Sequence, residues 1–202
     1  MFYSMQQAGK PKRWLDIDDY ISKGYKKTPN KWFRGEVFTA PVPFMDIKLL
    51  HNHPANTSMS DFLAPYMSQC GCHFFRDDLI AALEAVGVDN LHKYPVSITD
   101  PDDGKVYNNY KAVNIIGVVS AADMKKSKFE LGDSTPLMDV PFDDLILKEN
   151  DMKGLLMFRL AESLISILVH ERVKNHLLEK GFIHGGFNDH IEFYKLEEIA
   201  FL

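Results

Sequence analysis

Two stretches of this chain, 73–95 and 154–182, repeat one arrangement of apolar residues and glycine, and that repetition limits the fold more than any other feature. With Phe75 laid on Val169, a constant offset of 94 residues brings Leu79 onto Val173, Leu83 onto Leu177 and Gly87 onto Gly181. Apolar residues about four apart line one side of a helix, so each stretch predicts an apolar strand followed by a helix that packs by one face. Gly87 and Gly181 stand where a left-handed residue ends a helix, and Asp77, Asp78 and Glu171 put negative charge at the positive end of the helix dipole. Arg76 and His170, just before the helices, lack the short side-chain acceptor that favours a helix start. After each glycine comes an alternating return, Leu91 to Val96 and Ile191 to Leu196, in the manner of a half-buried strand. Two similar strand–helix–strand units predict an α+β fold, with helices against a mixed or antiparallel sheet.

The rest of the chain reads as connections and strands around these units. Residues 1–60 hold short apolar runs broken by turn residues and keep no 3.6-residue period, which predicts a β-rich N-terminal layer. Tyr110 to Val119 is apolar at nearly every position and reads as a central strand buried on both sides. Asp100-Pro101-Asp102-Asp103-Gly104-Lys105 is a turn by composition and suggests a hairpin with the strand before it; Phe142 to Leu147 suggests a further strand. At 202 residues and 46% hydrophobic the chain suits one domain over 1–202, with 1–60 as its entry layer and 61–202 holding the repeat.

Charge and cysteine count narrow the function. A net charge of −5 argues against a nucleic-acid-binding surface. The longest apolar stretch, Leu155 to Val169, carries Arg159 and Glu162 and falls short of the roughly 20 residues that span a bilayer. No basic-then-apolar leader is visible, and two cysteines, Cys70 and Cys72, fit a reducing cytoplasm. His51, His53, Cys70 and Cys72, with His73 beside them, are nitrogen and thiolate donors of the kind zinc takes, and a thiolate next to His73 would be a nucleophile. A small zinc- or thiol-dependent enzyme is therefore one reading. Against it, the one-residue spacings differ from those of zinc knuckles, and Ser166-Ile167 replaces Cys72-His73 in the second unit. Gly-rich phosphate loops and Gly-x-Ser-x-Gly elbows do not occur.

Asp61-Phe62-Leu63, Phe75 to Val96, Val113 to Asp123 with Lys126-Ser127, and Leu156 to Leu160 running on to Leu196 carry a resemblance. In these segments the chain resembles the eleventh numbered immunity family of bacterial polymorphic-toxin systems, formerly a domain of unknown function. The resemblance spans roughly residues 60–197. It implies a cytoplasmic, non-enzymatic protein of interbacterial competition that binds a cognate toxin and neutralises it by occlusion, with no cofactor, metal, nucleic acid or membrane; self-association is left open. A toxin acting on nucleic acid or a phosphorylated cofactor would have a basic cleft, so the turn carboxylates Asp100, Asp102, Asp103, Asp139, Asp143 and Asp144 are the expected contacts. Aromatics of the first fifty residues, such as Trp14 or Trp32, are the next candidates. A non-catalytic scaffold or regulatory module using the same acids is the remaining alternative.

Overall fold

A computed structural model describes residues 1–7, 15–16, 29–42, 44–50, 59–60, 62–63, 71–129, 140–148, 152, 154–182 and 191–197. The chain is sheet-rich with few helices, an α+β protein. Its first part holds β1 (Phe2–Gln7), β2 (Leu15–Asp16), helix α1 (Pro29–Phe33), β3 (Met45–Leu49) and β4 (Phe62–Leu63). The middle runs β5 (His73–Arg76), α2 (Asp77–Ala85), β6 (Leu91–Thr99), β7 (Val106–Tyr107), β8 (Tyr110–Ile115) and β9 (Val118–Val119). The last part adds β10 (Lys128–Phe129), β11 (Phe142–Asp144), β12 (Met157–Leu160), β13 (Ser163–His170), α3 (Glu171–Glu179) and β14 (Ile191–Lys195).

Two large sheets result. One has the order β14-β1-β13-β12-β9; the other runs β2-β3-β6-β8-β5-β4, with β7 also on β6. β8 lies antiparallel between β5 and β6, pairing Phe75 with Lys111 and Tyr94 with Ala112. β5 and β6 are therefore parallel to each other, which is why a helix, α2, has to carry the chain between them. In the other sheet β1 lies antiparallel between β13 and β14, pairing Met5 with Ile167 and with Phe193. The described strands of residues 1–60 are thus divided between the sheets: β1 completes one, while β2 and β3 belong to the other.

Alternation along the strands divides the interior. Phe75 and Val169 face a core shared with Leu79, Leu83, Val173 and Leu177 of the two helices. Their neighbours Phe74 and Leu168 turn the other way, into two further clusters, one around Trp32, Ile47 and Ile98 and the other around Phe142, Phe158 and Leu160. Both helices end in the same hydrogen bonds. Gly87 N–H donates to Glu84 O and Val88 N–H to Leu83 O; Gly181 and Phe182 repeat this on Leu178 and Leu177. The glycines take φ values of 103° and 81°, which residues with a Cβ rarely adopt.

The helix starts differ from expectation and from each other. The Nδ1 of His170 accepts the N–H of Arg172 at 3.1 Å, so this imidazole caps α3 after all. Arg76 makes no such cap; its guanidinium holds Asp78 at 2.7 and 2.6 Å, and Asp78 in turn accepts from the Leu79 N–H.

The run Tyr110 to Val119 does not stay in one sheet. It is central only as far as Ile115. Gly117, at φ 93°, turns the chain and donates its N–H to Gly35 O, after which β9 pairs in parallel with β12 of the other sheet. Two side chains then tie the sheets together: the Asn90 amide donates to Ile116 O and Met157 O, and Arg159, fully buried in β12, donates to Gly71 O at 2.7 Å. Among the described residues no helix is long and apolar enough to cross a membrane.

Candidate interaction surface

The six carboxylates that charge reasoning singles out have separate fates. Asp102 and Asp103 are exposed at the tip of the turn joining β6 to β7. Asp100 is not: it is 0% exposed. Its carboxylate accepts the Asp102 N–H at 3.0 Å, its own N–H donates to Lys105 O, and its carbonyl accepts from Gly104 N. The residue that opens a turn is drawn inward to satisfy the turn's own amides, so Asp100 is a framework residue and cannot be an accessible contact. Asp103 accepts the Lys105 N–H while remaining on the surface.

Asp143 and Asp144 lie in β11, which pairs with β10 as a small separate sheet; Asp143 is exposed and Asp144 half-buried. They are on a different sheet from the β6–β7 turn. Asp139 lies outside the described residues.

Asp144 also contributes to the wall of an open groove of about 1000 Å³. Phe2, Leu145, Met152, Leu155 and Leu156 give it an apolar floor, and Arg172, Lys195 and Glu197 give it a charged margin, with the His170 imidazole beside them. Lys195 and Glu197 are 3.6 Å apart. His170 has its pKa lowered, first by burial, and is held as the neutral imidazole that its capping role needs. Nearby, Tyr194 has its pKa raised to about 12 by burial and by the hydroxyl's hydrogen bond to Glu192. The groove can hold an apolar side chain against ionised groups of both signs. Sequence reasoning names Asp144 but not the groove, because its walls come from segments more than 140 residues apart in the chain, Phe2 and Leu145 among them.

The zinc and thiol candidates are only partly in view. His51, His53 and Cys70 lie outside the described residues. Cys72 is buried, its Sγ directed at His73 O at 3.8 Å, so the thiol is not presented to solvent. His73 is half-buried, its ring packed against Phe62 and Phe75. Among the described residues no three His, Cys, Asp or Glu side chains are grouped to hold a metal ion. Trp32 is fully buried against Phe38 and Tyr94, which removes it as an exposed contact; Trp14 lies outside the described residues.

No protein-family model and no curated protein matches the chain.

Proposed function

We propose that this chain is a non-enzymatic immunity protein that neutralises a cognate bacterial toxin by covering it, in the cytoplasm of the cell that makes the toxin. The observation that carries the reading is where the residues of the resemblance go. They are scattered over four segments of sequence, yet Phe62, Phe75, Leu83, Val113, Met157, Val169 and Leu177 meet in one core. A pattern that converges in this way specifies a shape, and a shape is what an occluding inhibitor must supply. The stretches around α2 and α3 are read, within this proposal, as two similar strand–helix–strand units.

The toxin's contacts are assigned to Asp102 and Asp103 and to Asp143 and Asp144, the accessible acids among the five that are described, together with Asp139, and the groove beside Asp144 takes an apolar side chain. Carboxylates at these places would steer a basic cleft and complement it. The test is co-expression. The reading frame adjoining this chain's own is expressed in a cell with and without it; survival only in its presence, together with co-purification of the two proteins, supports the proposal. An adjoining frame that is harmless alone and does not bind, or one encoding a metabolic enzyme, refutes it.

A further inference from the structure

We propose that the groove beside α3 binds a single-chain fatty carboxylate, with the hydrocarbon chain on its apolar floor and the carboxylate on Arg172. Its volume of about 1000 Å³ is at the upper end of what small-molecule sites enclose. The floor includes Phe2, Leu155 and Leu156, which are only partly buried by the cores they lean on. At its rim Met1 and Ile146 are 71% and 37% exposed. Apolar side chains left open together in this way mark a binding surface.

Charge selects the head group. β1 lies between β13 and β14, with Phe2 against His170 on one side and Tyr3 against Lys195 on the other. Arg172, just beyond the end of β13, therefore stands across β1 from Lys195 and Glu197. Those two hold each other at 3.6 Å, and Asp144 belongs to their side, since the N–H of the next residue, Leu145, donates to Leu196 O. On the Arg172 side His170 is the neutral cap of α3. The Arg172 guanidinium is exposed, and among the described residues no carboxylate pairs with it. An open guanidinium beside apolar surface takes a carboxylate through two parallel N–H···O bonds, and the chain attached to that carboxylate is what the floor accepts. A neutral or cationic head group leaves the guanidinium unanswered. Binding of this ligand concerns the chain alone and needs no toxin, although a bound molecule competes with the apolar side chain proposed for the same groove.

Dodecanoate, kept below its micelle-forming concentration at neutral pH, is the probe, titrated calorimetrically into the full chain. One molecule should bind per chain, and dodecanol should bind about tenfold more weakly, the loss that follows when a hydrogen bond to a charged group is removed. Arg172→Gln should weaken dodecanoate binding by about tenfold while leaving the melting midpoint in place, because the helix cap uses the backbone N–H of this residue and not its side chain. Lys180→Gln removes an exposed cation at the far end of α3, outside the groove, and should leave the affinity unchanged. Absence of binding, equal affinity for dodecanol, an Arg172→Gln protein that binds like wild type, or attachment only to vesicles of anionic phospholipid would each overturn the proposal. None of these outcomes bears on co-expression with a toxin, so the two readings fail separately.

Discussion

Replacing Asp100 should damage the fold, and replacing its neighbours Asp102 and Asp103 should not, although all three look alike in sequence. Asp100→Ala removes the carboxylate that holds the Asp102 N–H at 3.0 Å in a turn where Asp100 itself is 0% exposed. Losing a part-buried hydrogen bond to a carboxylate acceptor costs about 1–3 kcal/mol. For a chain of this length each kcal/mol moves the melting midpoint by about 2–4 °C, so Asp100→Ala should melt about 2–12 °C below wild type. Asp100→Lys should do worse, because an ammonium would be forced into that buried place. The double variant Asp102→Lys with Asp103→Lys changes exposed residues and should stay within about 0.5 kcal/mol. Thermal and urea melts of the variants give the answer. An Asp100→Ala protein that melts with wild type, or a double variant as damaged as Asp100→Ala, would refute the description of this turn. The contrast also governs binding experiments: a triple reversal that includes Asp100 would weaken binding through misfolding, whereas the Asp102 and Asp103 double reversal isolates charge. If the proposed toxin contact is right, that double variant associates more slowly, and the wild-type on-rate falls as salt rises.

Other outcomes follow from adjacent or capping residues. Leu177→Ala should cost about 2–5 kcal/mol and Leu178→Ala less than about 0.5, since Leu177 is fully buried and Leu178 is 43% exposed one position along the same helix; urea denaturation with equal losses would mean that α3 packs by another face. His170→Ala should cost about 0.5–2 kcal/mol near neutral pH by leaving the Arg172 N–H uncapped. That loss should vanish in acid, where a protonated Nδ1 can no longer accept; a pH-independent difference between the two melts would count against the cap.

Helices α2 and α3 and their glycine ends are legible in the sequence because they depend on neighbours: four-residue spacing selects the buried face, and Gly87 and Gly181 supply a backbone state that other residues avoid, whereas the short α1 falls in a stretch without helical period. The place of β1 is not, because Met5 pairs with Ile167 and Phe193, far outside any window over which periodicity can be read. The strand through Tyr110 to Val119 misleads for a related reason, since hydropathy is indifferent to the turn that Gly117 makes when the chain passes from one sheet to the other. Among the acids, composition marks the turn but cannot tell which carboxylate will fold back onto the turn's own amides. Trp32 likewise carries no local sign that it will be buried.

The position of β1 also sets an order of events. During synthesis β1 emerges before either of its partners, which follow it by more than 150 residues. The sheet built on β8 can form while the ribosome is still working, but the sheet built on β1 has to wait. Closing a loop of that size costs about 4–5 kcal/mol of chain entropy before any pairing repays it. A chain shortened by residues 1–7 would keep β13 and β14 with an open slot between them, flanked by unpaired backbone on both sides. Such a slot is shaped to take one extended strand. A synthetic peptide with the sequence of β1 should therefore be able to complete the molecule from outside.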